Sequence, residues 1–342
     1  MGEVFSKAIL ITLALLLFAV PSFALKKLGM LGDGAKLTLG NLLLYVCQPA
    51  MIIAAFSVFS DADYELIRAA DKLALLRNFG ICAALSLAAM LAVLGVCKLA
   101  FIRYKNRAAA DIYTYIGIFS NCGFLGVPFV QMFTDGNVFA VMYLMVFNIV
   151  FVVLVWTLGV FLITHDAKDI SVKKVLLNPT IIASAVALLL FFVPQINIFM
   201  IDGCKELSVV PSALSTMTAP VAMLLVGIAL ADMPIKSLFT DGGVYIAGAL
   251  RLIVAPIVTF ALAVAFYYMT RSAVGGALEA DYIFLAPVIA MAMSPASVSV
   301  AMAERYNTQK ETAAKAFITN TLFSVITVPL VIMAITELWK LI

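Results

Sequence analysis

Two short stretches carry polar and helix-breaking residues inside otherwise apolar runs: SNCGFLGVP at 120–128 and MSPASVSVA at 293–301. The first holds Ser120, Asn121, Gly123, Gly126 and Pro128; the second holds Ser294, Pro295, Ser297 and Ser299. Proline lacks an N–H and obstructs the carbonyl one turn back, while glycine tolerates non-helical dihedrals, so each stretch is predicted to break a helix. Within hydrocarbon, an unsatisfied backbone group costs several kcal/mol, so a break survives only where protein or a watery cavity receives it. The chemistry on offer there is solute coordination, by an amide that both donates and accepts, by hydroxyls, and by helix N-termini that each present about half a positive charge. Two matched breaks point to a substrate site near the bilayer midplane, against the plainer reading of proline kinks beside packing residues.

Arg251 adds a charge. It lies about eight residues into an apolar run, roughly 12 Å along a helix. An arginine at that depth costs about 2.5–3.5 kcal/mol, so such residues usually face a cavity or pair with a counter-ion. Read as a binding residue, it favours an anion, and a small carboxylate fits. The other reading is an arginine bonded to backbone carbonyls that stiffens its surroundings. The candidate substrate site is therefore Asn121, Gly123, Gly126, Pro128, Arg251, Ser294, Pro295 and Ser297. Asn148, Asn320 and Thr321 are candidates for ion or polar support.

Catalytic chemistry is poorly supplied. The chain has no GxSxG and no HExxH, a single histidine, His165, which falls in a loop and reads as solvated, and no pair of deep aspartates. Its five cysteines, Cys47, Cys82, Cys97, Cys122 and Cys204, form no CxxC pair and read as small apolar fillers. No enzyme activity, cofactor or metal is expected. The acids Asp61, Asp135, Asp232, Glu304 and Glu337 fall near the ends of apolar runs, leaving no obvious proton relay through the centre. Sodium held by unwound carbonyls, Asn121, Asn148, Asn320 and Thr321 stays open.

The elements that must position these residues follow from composition. Of 342 residues, 64% are hydrophobic and 12% charged, with a mean hydropathy of +1.12; this is the balance of an all-α polytopic membrane protein. Ten stretches are long enough to span, near 5–24, 38–59, 78–102, 111–133, 138–163, 178–199, 212–231, 243–269, 281–303 and 313–338. The first also fits a cleaved signal peptide, with Lys7 before an apolar core and PSFA after it. The net charge of +3 includes no basic cluster dense enough for nucleic acid. Most loop cations (Lys26, Lys27, Lys36, Arg103, Lys105, Arg107, Lys168, Lys173, Lys174, Lys236, Arg305, Lys310 and Lys315) fall on one side. The positive-inside rule makes that side cytoplasmic and puts both termini outside the cytoplasm of a cell membrane, with Arg68, Lys72 and Arg77 as a local exception.

The chain also repeats itself. PAMIIAAFSVFSD at 49–61 and PVAMLLVGIALAD at 220–232 each run from a proline to an aspartate twelve residues later. Pro128 matches Pro295 beside small residues, and Asn148 in span 5 matches Asn320 in span 10. Five spans per half, 1–163 and 178–342 about a cytoplasmic linker at 164–177, force the second half to insert upside down. This is the inverted-repeat plan of many secondary transporters.

PAMIIAAF, SNCGFLGVPF, LNPTIIAS, APVAMLLVGIALAD, RLIVAPIV and MSPASVSVAMAERYN, taken in this order, resemble the auxin efflux carrier family, and within it the bacterial organic-acid permease-like branch. The resemblance implies ten helices, with spans 1, 2, 6 and 7 as a scaffold and spans 3–5 and 8–10 as a mobile domain. Broken helices 4 and 9 would cross at the substrate, at the midplane, with Asn121, Pro128 and Pro295 as crossover residues. It implies an elevator-type transporter of a small organic anion in a lipid bilayer, with a second copy of the chain as a candidate partner. A sodium-coupled organic-anion symporter of the related bile-acid-transporter-like fold is the alternative, followed by a channel-like or sensory membrane protein.

Overall fold

The computed structural model describes residues 2–32, 34–166, 168, 173, 176–201, 203–274 and 279–342. The expected linker at 164–177, with Lys174, lies partly outside the described residues. Among those residues all regular structure is helical, apart from one isolated antiparallel bridge between Ser120 and Pro295. In chain order the helices are α1 Gly2–Lys27, α2 Ala35–Ser57, α3 Asp61–Ala69, α4 Lys72–Ala100, α5 Arg107–Ile118, α6 Cys122–Phe133 and α7 Val138–Thr164. There follow α8 Pro179–Phe192, α9 Lys205–Ala231, α10 Gly242–Val274, α11 Asp281–Ala292, α12 Val298–Arg305 and α13 Lys310–Trp339. Seven of these (α1, α2, α4, α7, α9, α10 and α13) are long and apolar enough to cross a membrane; α6, α8 and α11 are shorter apolar helices.

Local chemistry sets where the helices begin and end. Side-chain oxygens of Asp71, Asn106, Asn137, Asn178 and Asp241 accept from N–H groups in the first turns of α4, α5, α7, α8 and α10, at 2.8–3.1 Å. Each cap satisfies one of the four donors a helix N-terminus leaves unpaired. The span expected to reach residue 199 stops at Phe192, because Pro194 cannot continue the helix and disfavours helical dihedrals at Val193 before it.

Prolines further inside are accommodated differently. Widened π turns occur at Leu43–Cys47, Cys122–Gly126, Val155–Gly159 and Leu250–Val254. Three of the four end two residues before a proline: Pro49, Pro128 and Pro256. The carbonyl that each ring would strike, four residues back, lies within the π turn (Tyr45, Phe124, Leu252). The wider turn displaces that carbonyl and removes the need for the missing N–H, so the helix continues through the proline instead of breaking at it.

Two packing groups emerge. The second half of α2 packs on α8, the second half of α1 packs on α9, and α9 also leans on α2. In the other group, α4 packs on α5, α7, α10 and α11, while α10 and α12 pack on α13; the first half of α1 also packs extensively on α13 and so joins the two groups. Phe56, Phe79, Phe191 and Tyr143 interlock edge to face, with ring centroids 5.7–6.1 Å apart, and join α2, α4, α8 and α7. Large apolar side chains such as Leu10, Leu17 and Ile257 remain exposed, as expected of surfaces that meet lipid rather than water. Four of the five cysteines are buried and all five are free thiols.

Candidate functional site

The site begins where α5 and α11 stop. The segments that follow them, Phe119–Asn121 and Met293–Ser297, cross antiparallel. The Asn121 N–H donates to the Ser294 carbonyl at 2.8 Å, and the Ala296 N–H donates to the Phe119 carbonyl at 2.9 Å. Ser120 and Pro295 are the opposed pair between these two bonds, a position at which neither residue contributes its own N–H to the ladder. Proline therefore sits there at no cost in hydrogen bonds. The crossing also gives a local two-fold, relating Ser120 to Pro295 and Asn121 to Ala296.

This geometry puts the first break at the start of the expected stretch and corrects the crossover role given to Pro128. The chain leaves the helix at Phe119–Asn121, ahead of both glycines, and Pro128 lies inside α6 rather than opposite Pro295. The Asn121 carbonyl accepts from both Leu125 N (3.2 Å) and Gly126 N (3.0 Å), opening the π turn that makes room for Pro128. Proline and glycine mark the strain; the cross-strand bonds decide where the helix yields.

Arg251 is fully buried, on the π turn of α10. Its Nη1 donates to the carbonyls of Gly117 (3.0 Å) and Ile118 (2.8 Å), and its Nη2 donates to the Met291 carbonyl. These carbonyls belong to the last turns of α5 and α11, so one guanidinium ties together the C-terminal ends of both interrupted helices. Of the two sequence readings, this is the bond pattern of the second.

Beside the crossing lies a narrow cleft with a cavity volume of about 30 Å³, open at its mouth. Ser120, Asn121 and Gly123 line it from the break, Asn148 and Trp156 from α7, Tyr45 and Gln48 from α2, Asn178 and Thr180 from the start of α8, and Ala296 from the second break. None of its lining residues is charged. Gly123 is required by the close approach of α7: a Cβ there would sit 2.6 Å from Asn148 Nδ2. Asn148 Nδ2 reaches Cys122 Sγ at 3.5 Å, while Asn148 Oδ1 and Ser120 Oγ are buried with no hydrogen-bond partner among the described residues. Such groups cost about 1–3 kcal/mol each unless something satisfies them. Three of the four π turns contribute to the walls, through Tyr45, Gly123 and Trp156. At Trp156 the Arg305 guanidinium stacks 5.4 Å from the ring centre.

Of the residues picked out in the sequence, Asn121, Gly123 and Asn148 meet in this cleft. Ser294 and Pro295 build the crossing, and Gly126 packs behind it near Met293. Ser297 precedes the first turn of α12. Asn320 and Thr321 lie elsewhere on α13, where Asn320 donates to Val244 O (3.3 Å) and Thr321 to Phe317 O (2.7 Å). Gln48, Tyr45, Trp156, Asn178 and Thr180 were not anticipated as site residues. For Gln48, Asn178 and Thr180 the available signal was their place beside Pro49 and Pro179, at the edges of PAMIIAAF and LNPTIIAS; Tyr45 and Trp156 carried none. His165, expected to be solvated, is largely exposed yet pairs through Nε2 with Asp111 at 3.0 Å, and Asp111 also accepts from Lys98 at 2.7 Å.

Interrupted helices that meet beside a narrow polar cleft, together with seven helices among the described residues long and apolar enough to cross a membrane, are the features of a polytopic membrane protein. The family model described as membrane transport protein matches residues 4–332, and the chain belongs to that family, the auxin efflux carrier family. No curated protein matches the chain.

Proposed function

We propose that this membrane transporter is a secondary carrier of a small organic anion, a carboxylate, working by an elevator-type alternating-access mechanism. The observation that carries the reading is the crossing at Ser120 and Pro295, beside a cleft into which the N-terminus of α6 brings Asn121 and Gly123. A helix N-terminus offers unpaired N–H groups and about half a positive charge, which suits a carboxylate. Asn121, Asn148, Gln48 and Thr180 add neutral donors.

Ten spans in two inverted repeats, 1–163 and 178–342, are supported by paired features. Asp71 caps α4 as Asp241 caps α10, and α8 packs on α2 as α9 packs on α1. The division into a scaffold of α1, α2, α8 and α9 and a moving body of the remaining long helices is supported by the packing of α2 on α8 and of α1 on α9, with the contact of α1 on α13 as the surface along which the two would slide. The loop cations favour termini outside the cytoplasm.

The test is uptake of labelled mono- and dicarboxylates by sealed vesicles containing the purified protein. A carrier accumulates label faster when the vesicles are preloaded with the same unlabelled acid. Uptake without that acceleration indicates a channel, and conversion of the label an enzyme; indifference to every acid, while a neutral or cationic solute is carried, ends the anion reading.

A further inference from the structure

Arg251 is fully buried, has no acid among its hydrogen-bond partners, and donates through Nη1 and Nη2 to the Gly117, Ile118 and Met291 carbonyls from the ends of two different helices, while its Nε has no partner among the described residues. Such convergent carbonyls, at the negative ends of two helix dipoles, are what would hold a bare monovalent cation at a broken-helix centre. Each helix end carries about half a negative charge, so α5 and α11 together present roughly one, and one guanidinium cancels it. We propose that Arg251 is a tethered counter-cation at the crossing: it fills the place of a dissociable ion, so that the crossing binds no coupling cation, and the positive ends of α6 and α12 are left to set the field in the cleft. This rests on the crossing being the transport centre, and it explains how a cleft without a lining cation would favour an anion. It also separates the protein from a sodium-coupled design at that position.

The test reads melting temperature, not transport, so its failure is distinct from that of the carboxylate reading. Wild-type protein should melt at the same temperature in sodium, potassium and choline chloride of equal strength; a sodium- or potassium-specific rise overturns the proposal. Arg251→Ala should melt roughly 10 °C lower, since it strands buried carbonyls. Millimolar guanidinium or sodium, but not choline, should recover part of that loss. A variant as stable as wild type, or one that no small cation restores, overturns the counter-cation role. If Arg251→Ala does not fold, Arg251→Lys and Arg251→Gln decide: a charge role requires the lysine variant to melt well above the glutamine variant, and the reverse order overturns it.

Discussion

Asn121 does two jobs with different groups: its N–H pairs with Ser294 and its side chain lines the cleft. Asn121→Ala keeps the first and removes the second, so substrate affinity should fall up to about tenfold, the worth of one to two hydrogen bonds, with little change in melting temperature. Isothermal binding and melting curves on the same preparation check this. Gly123→Ala should do the opposite damage. Its new methyl would displace Asn148, so melting temperature and uptake should both drop. Pro128→Ala restores an N–H within α6 and lets the π turn relax toward regular helix. Because the break is at Phe119–Asn121, affinity should stay within about twofold of the parent; a large loss would mean that the π turn itself shapes the site.

At the scale of elements, the packing groups touch where motion would have to part them. Lys7 on α1 bonds Asp135, just beyond α6, at 2.8 Å, across the boundary between the proposed scaffold and the moving body. Both side chains are substantially exposed, so the pair adds at most about 1 kcal/mol to stability and weakens with salt. Even that is enough to shift a balanced conformational equilibrium severalfold. Lys7→Ala should leave the melting temperature within about 2 °C of the parent while making the uptake rate less sensitive to ionic strength. Equal salt dependence in variant and parent would show that the pair does not latch the two bodies. The sequence displayed the helical elements in part: among the described residues seven helices, not ten, are long and apolar enough to span, because the breaks after α5 and α11 and the stop at Pro194 shorten the others. Apolar runs of about 20 residues and cap residues such as Asn106, Asn137 and Asp241 are local signals. The π turns were not legible, because a proline announces that a helix is disturbed without saying whether it breaks, kinks or widens.

For the molecule as a whole, sidedness is the most direct expectation to check. Cys204 is the one cysteine that is not buried, and it lies in the connection before α9 that the loop charges place outside the cytoplasm. A membrane-impermeant maleimide should label intact cells at Cys204 and leave the Cys204→Ser variant unlabelled; labelling only after the membrane is opened would reverse the topology. Composition and periodicity alone established an all-helical membrane chain, and the order of motifs established its family, because both are properties of short stretches that hold wherever the stretches end up. They also marked both interruptions and singled out Asn121, Gly123 and Asn148. Only the tertiary structure decided which groups Arg251 bonds, since its partners lie 40 or more residues away on two other helices. It also decided that Pro295 faces Ser120 and not Pro128, and that Gln48, Trp156 and Asn178 share a wall with Asn121. A buried guanidinium seeks whichever carbonyls the packing leaves unpaired, and a broken helix yields where another segment can bond its backbone. Both depend on neighbours that the fold, not the local sequence, brings close.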